Sequence, residues 1–363
     1  MPRYEQRRWS GDRMREAFTG FAYITPNFLG FLAFISIPIL VSMYFAFTEY
    51  SVLTPPKWVG LRNFKELLWY HWEDVPVFEK AVTEKGETYD KLVTKQVVKP
   101  DGTVAEEPVT TRTWKMNDPN FWKFSYNTVF LMMGIPLGMT VSLSMALVMN
   151  QKIRGITFWR TVFFLPSVTA GVAVYLLWTW IYDPQQGLLN QFLSAGLGWL
   201  HIGSHYLWPK DPMDWPRWIG SAAWAKPSLI LMGLWSAAGG YNMILYLAAL
   251  QGVDPQLYEA AMIDGATGWQ KFWHVTWPLI SPTTFFIVVM GIIGGFQGGF
   301  MQAYVMTEGG PQGSTTTLAY YILNNAYAWF QMGKASTVAW CLFVVVFGLT
   351  LLNWRFGGKK VHY

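Results

Sequence analysis

Charge is what this sequence has least of. Lys, Arg, Asp and Glu supply 13% of its 363 residues, against roughly 25% in ordinary soluble domains. The charges are also unevenly placed, with eleven basic and eleven acidic residues from Lys57 to Lys123 and 27 in the rest of the chain. Such a pattern excludes a disordered chain and a nucleic-acid binder with a basic stripe. A single cysteine, Cys341, excludes an internal disulfide and with it a disulfide scaffold. No Gly-x-x-x-x-Gly-Lys-Ser/Thr loop cradles a nucleotide, no His/Cys/Asp/Glu cluster has metal-ligand spacing, and no nucleophile stands beside a base. No catalytic or metal site is expected. What the sequence does hold is apolar bulk: 52% hydrophobic residues, among them 21 Trp, 18 Tyr and 25 Phe. The chain reads as a membrane protein.

A bilayer crossing takes about 20 predominantly apolar residues in a helix, because lipid offers no partner to backbone polar groups. Six charge-free stretches satisfy this: Ala17–Thr48, Phe124–Gln151, Thr161–Tyr182, Pro227–Val253, Phe272–Thr307 and Ala335–Trp354. They predict helices near 22–48, 124–150, 160–182, 227–250, 280–306 and 335–355. The runs lack the period-two alternation of a β-barrel. Two further stretches, Pro184–Pro209 and Gly309–Gly333, are too polar and interrupted to face lipid. They predict short helices at the outer interface or tucked against the bundle. With the N-terminus inside, inner segments carry twelve Lys and Arg, and the short outer loops four, Lys210, Arg217, Lys226 and Lys334. That asymmetry places both termini in the cytoplasm. The first apolar stretch is too long for a signal peptide and is expected to remain in place.

The chain thus divides into an N-terminal segment 1–20, a first span within 21–50, an outer loop 51–123, a core 124–355 with the other five helices, and a tail 356–363. In the outer loop, Asn63–Tyr70 predicts a short amphipathic helix. Lys95–Val98 and Thr103–Val109 flank the turn signal Lys99-Pro100-Asp101-Gly102, which predicts a β-hairpin. Balanced charge suits a solvated loop, and equally a docking surface for an external partner.

The spans carry essentially no ionisable residue away from their ends, whereas proton- or sodium-driven carriers bury such groups at mid-membrane. Energy for uphill transport would have to come from another chain. The informative segment is the cytoplasmic loop 254–282. Asp254-Pro255 opens a helix, as a capping carboxylate followed by a proline in the first turn. Gly265 can end it in the left-handed conformation. Shape alone fits an ordinary interfacial helix. The residues say more: Glu259-Ala260-Ala261, Asp264-Gly265-Ala266, Phe272, Val275 and Pro278-Leu279 resemble the EAA loop of ATP-binding-cassette importer permeases. One departure is Trp277, where the family usually has leucine.

The resemblance extends along the chain. Trp58-Val59-Gly60-Leu61-Arg62-Asn63-Phe64, Asp118-Pro119-Asn120-Phe121-Trp122, Phe164-Leu165-Pro166, Tyr182-Asp183-Pro184 and Gly240-Tyr241-Asn242-Met243 look like sugar permeases of the maltose and glycerol-phosphate class. So does Tyr304-Val305-Met306-Thr307-Glu308-Gly309-Gly310-Pro311. Residues 70–116 are an insertion where such permeases usually have a few residues. The resemblance implies an all-α polytopic membrane protein, with six transmembrane helices of the type I importer permease fold and a polar outer insertion between the first two. It implies a second homologous permease, two copies of a cytoplasmic ATP-binding subunit that hold ATP and Mg, and an extracytoplasmic solute-binding protein. No cofactor belongs to this chain. Tyr258, Glu259, Ala260, Ala261, Met262, Asp264, Gly265 and Ala266 would form the ATPase-coupling helix, with Tyr258 and Met262 filling a cleft on the ATPase. Trp235, Ser236, Tyr241, Asn242, Gln297, Gln302 and Tyr304 are the substrate-path candidates, being polar or aromatic groups in apolar spans. Polar side chains also join helices to one another. An ion-coupled secondary transporter is the alternative.

Overall fold

The structure, a computed structural model, describes residues 11–82, 88–98, 104–151, 154–169, 171–197, 201–202, 205–206 and 214–357. The expected turn at Lys99–Gly102, the first ten residues and the last six lie outside these. Among the described residues, five helical runs are long and apolar enough to cross a bilayer: Met14–Ala46, Pro119–Met149, Ala225–Gln251, Gly268–Gln297 and Met332–Arg355. Where the third span was expected to be one helix there are two shorter apolar ones, Ile156–Val168 and Gly171–Ile181. Pro166 brings no backbone N–H to the first of these, and Thr169 leaves it in an extended conformation (φ −71°, ψ 138°). The fifth span begins twelve residues earlier than the predicted 280, and its helix breaks after Gln297 before resuming over Phe300–Thr307.

The chain forms two compact units. Residues 1–63 with 322–343 make one. Among its described residues the first span faces outward along nearly its whole length and buries only Ala46, as suits an apolar helix in hydrocarbon. The span ends on a hairpin of β1 (Thr48–Ser51) and β2 (Thr54–Trp58). The Asn63 side chain closes this end, donating to the carbonyls of Ala46 (3.1 Å) and Thr48 (2.8 Å). Thr337 of the last span also donates to Ala46 O, at 3.1 Å.

Residues 64–321 with 344–363 make the second unit. Ala146, Met149, Met243, Tyr246, Leu250 and Ile280 bury one apolar cluster between the second, fourth and fifth spans. Val174, Trp178, Leu229, Met232 and Met306 bury another. The two polar stretches do form short helices, Leu188–Leu197 and Leu318–Leu323. Each is held by buried polar contacts. Asn190 accepts from Trp218 Nε1 at 2.7 Å, and the Tyr321 hydroxyl donates to Asp118 Oδ2 at 2.7 Å.

The insertion holds more than the hairpin predicted. Its stem pairs β3 (Tyr70–Pro76) with β8 (Thr110–Met116), and two arms pair β4 (Phe78–Val82) with β5 (Thr88–Leu92) and β6 (Thr94–Val98) with β7 (Val104–Pro108). The three ribbons meet at three valines. Val77 N donates to Val109 O (2.8 Å), Val109 N to Val93 O (2.8 Å) and Val93 N to Val77 O (2.9 Å), a closed ring of backbone bonds. On the stem, alternation puts Tyr70, Trp72 and Trp114 on one face, with the Trp72 and Trp114 rings 4.1 Å apart. His71, Glu73 and Lys115 take the other. There the Lys115 ammonium, 2.6 Å away, holds the Glu73 carboxyl below its ordinary range.

Candidate coupling loop and translocation path

The helix expected in the loop 254–282 runs Pro255–Ile263 and is fixed at both ends by its own sequence. Asp254 caps it, accepting from Gln256 N at 2.9 Å, with Pro255 in the first turn. At the other end Gly265 is left-handed (φ 78°), which lets Ala266 N reach back to Ala261 O at 2.9 Å. Thr267 and Gln270 then form a reciprocal capping box, and helix continues through Trp277 into the fifth span. The loop helix is thereby joined to a transmembrane helix through a single left-handed turn.

Side chains of this helix divide by face. Tyr258 is half-buried and its hydroxyl lies 2.9 Å from Thr276 Oγ1 at the foot of the fifth span. That bond ties the Tyr258 ring to its own chain. Glu259, Ala260, Met262, Asp264 and Gly265 are exposed, and Ala261 and Ala266 are half-buried. Ile263, 87% exposed, lies outside the set the motif selects. An apolar residue in the last turn of a short surface helix is the signal that would have found it. Tyr258→Phe is expected to cost about 1 kcal/mol, the net worth of one neutral hydrogen bond. A detergent melting curve reads this, and an unchanged midpoint would mean that the bond to Thr276 does not pin the loop.

The seven path candidates do not share one surface. Asn242 and Gln302 line a single cavity between the second, fourth and fifth spans, together with Leu131, Gly134, Gly233 and Gly291. Trp235, Tyr241, Gln297 and Tyr304 are exposed outside that lining, and Ser236 is half-buried. Trp235 meets the Trp178 ring at 5.6 Å, while Tyr304 stacks on Phe300 at 5.7 Å.

What the seven have in common is nearness to a helix break. The fourth span is interrupted at Gly239-Gly240, immediately before Tyr241, and the fifth at Gly298-Gly299, immediately after Gln297. Gly299 is left-handed (φ 76°). Gly239 has an ordinary backbone, but a methyl built there would fall on the carbonyl oxygen of Phe163. Non-helical backbone at membrane depth is tolerated where protein buries it or where it lines a cavity. In membrane carriers such breaks gather at the solute site.

Apolar spans broken beside a shared cavity, with polar groups at the breaks, define a membrane subunit that conducts a solute. More particularly, the chain belongs to the family described as binding-protein-dependent transport system inner membrane component, whose profile matches residues 134–355. It is 30% identical, over 96% of this chain and 93% of the relative, to the probable ABC transporter permease protein YesP of Bacillus subtilis (strain 168). It is 36% identical, over 67% of this chain and 77% of the relative, to the lactose transport system permease protein LacF of Rhizobium radiobacter. With UgpA of Brucella abortus, a permease protein of an sn-glycerol-3-phosphate transport system, it shares 32% over 68% of this chain and 79% of the relative. Among solved structures, a bacterial ABC transporter involved in import of the acidic polysaccharide alginate matches 96% of this chain and 98% of its own. The TM-score is 0.70 at 21% identity. The likeness shows a shared fold, and the family description makes the chain an inner membrane component of a transport system.

Proposed function

We propose that this chain is one of two permease subunits of an ATP-driven importer for a sugar or sugar-like solute, and that helix Pro255–Ile263 transmits the ATPase cycle to the path. The partners on this reading are a homologous permease, two cytoplasmic ATP-binding subunits that hold ATP and Mg, and an extracytoplasmic binding protein. Both termini lie in the cytoplasm. The names of the relatives, which specify lactose and sn-glycerol-3-phosphate, support a saccharide-like solute.

One observation carries the coupling assignment. A short helix is capped at both ends, bonded through Tyr258 to the base of the fifth span, and presents Met262 and Ile263 outward. A force on such a lever reaches the break at Gly298-Gly299 through one continuous helical run from Gly268 to Gln297. Closure of the ATPase dimer would draw the loops of the two permeases together and turn the path outward. Hydrolysis would then restore the inward state, the bias being the difference in docking between the two.

Glu259→Lys tests this. The exposed carboxylate becomes a cation facing a partner, a change worth about 2–5 kcal/mol at a docked charge pair. Membrane insertion is expected to match wild type, while transport and solute-stimulated ATP hydrolysis fall by more than about tenfold. Wild-type rates in this variant would remove the loop from the coupling role. Uptake that runs on a sodium or proton gradient without nucleotide would replace the importer reading altogether.

A further inference from the structure

Lys123 and Lys226 are each the sole charged residue of their spans, Pro119–Met149 and Ala225–Gln251. A lysine near a helix end usually extends its ammonium to the interface. Lys226 instead turns into the groove between the second and fourth spans. Its Nζ lies 4.6 Å from the Tyr126 ring centroid and 5.0 Å from that of Phe130, and donates to Asn127 Oδ1 at 3.1 Å. Asn127 is fully buried, and its Nδ2 is occupied by the carbonyls of Gly313 (2.9 Å) and Thr316 (3.0 Å). That locks the amide with its oxygen toward Lys226. Lys123 precedes Asn127 by one turn and donates to the Gln312 carbonyl, so the two ammonium groups flank one buried amide. Neither lysine has a carboxylate partner among the described residues.

Lys226 and Asn127 sit one helical turn, and Lys123 two, from the cavity that Asn242 and Gln302 line. Leu131, Leu229 and Ile230 are in that lining, and they neighbour Asn127 and Lys226 on the same two helices. Ring faces and an amide oxygen orient a cation without neutralising it. Two like charges at the head of one groove repel each other and attract an anion. We propose that Lys123 and Lys226 form an anion-recognition site at the outer mouth of the path, and that the solute is an anionic saccharide bearing a carboxylate or a phosphate. This rests on the importer reading above and narrows its solute.

The test uses the whole importer, purified with its natural partners and reconstituted in liposomes with its binding protein. The probes are a uronate disaccharide, its methyl ester, a hexose phosphate and the parent hexose. Because the binding protein is the same in every arm, a change of preference belongs to this chain. Lys226→Gln is expected to lower the ratio of anionic to neutral uptake by about tenfold, with Lys226→Arg keeping it. Which anion carries the ratio identifies carboxylate or phosphate. An unchanged ratio in Lys226→Gln, or a wild type that takes up only the neutral sugars, overturns the proposal while leaving the importer intact. If wild type takes up no saccharide of either kind, the importer reading fails and this one with it. Should Lys226→Gln fail to assemble, Lys123→Gln reads the same ratio. Failure of both glutamine variants where both arginine variants assemble would make the lysines structural and refute the site.

Discussion

Gly239→Val is expected to leave almost no folded chain in the membrane. The fourth span crosses the helix Ile156–Val168 so closely at this point that even a methyl would coincide with the Phe163 carbonyl oxygen. A backbone atom cannot rotate aside as a side chain can, so the two helices must separate. Overpacking usually costs about 1–3 kcal/mol and more where nothing yields. Here separation would also open the cluster in which Phe163 packs beside Met243, Tyr246 and Leu247. Gly348→Ala is the control. Nothing lies within 4 Å of the added methyl, and the site is inside the last helix, so stability should rise by about 0.5–1 kcal/mol. Fluorescence-detected size exclusion over a temperature series reads both. A monodisperse Gly239→Val protein with the wild-type midpoint would mean that the crossing is looser than described.

Asp118→Ala is expected to have the next largest effect, about 3 kcal/mol. The buried Asp118 carboxylate does two things at the head of the second span. Oδ1 accepts from Phe121 N at 3.1 Å as the helix cap, and Oδ2 accepts from the Tyr321 hydroxyl at 2.7 Å. Loss of a cap costs about 1 kcal/mol, and loss of a hydrogen bond to a charged group about 1.5–3 kcal/mol. Asp118→Asn keeps an acceptor for the cap and should recover roughly a third of the loss. A melting midpoint in Asp118→Asn equal to that of wild type would show that the bond from Tyr321 to the charged carboxylate contributes nothing beyond the cap.

What could be read from the residues alone follows from the range of the interactions involved. The loop helix Pro255–Ile263 was legible to within a residue, because its start and end are set by Asp254, Pro255 and Gly265 acting on their own neighbours. The long apolar runs were legible because lipid imposes one requirement on every crossing. The third span was not, since an apolar stretch looks the same whether it is one helix or two meeting near Thr169. The path candidates were legible only as a list of polar or aromatic residues. That Asn242 and Gln302 share a cavity while Gln297 does not depends on how the helices are rotated after Gly240 and Gly299, which local sequence does not encode. The insertion shows the same limit. Its second arm gave a turn signal, but the stem joins residues far apart in sequence, Tyr70 with Met116 at its base and Pro76 with Thr110 at its top, and neither strand announces the other.

The ring of Val77, Val93 and Val109 gives that insertion a property a plain hairpin lacks. Its three members are evenly spaced, sixteen residues apart, and each gives one donor and takes one acceptor, so the junction is complete whatever lies beyond it. Strands rise about 3.3 Å per residue. A seven-residue stem and a five-residue arm therefore span up to ~40 Å of extended chain, longer than a small domain is wide. Residues added to or removed from one arm in opposed pairs would move its tip about 3.3 Å at a time, leaving the hub, the stem and the other arm in register. The loop is in effect a branched boom whose two tips can be lengthened independently while the mast stays fixed to the second span.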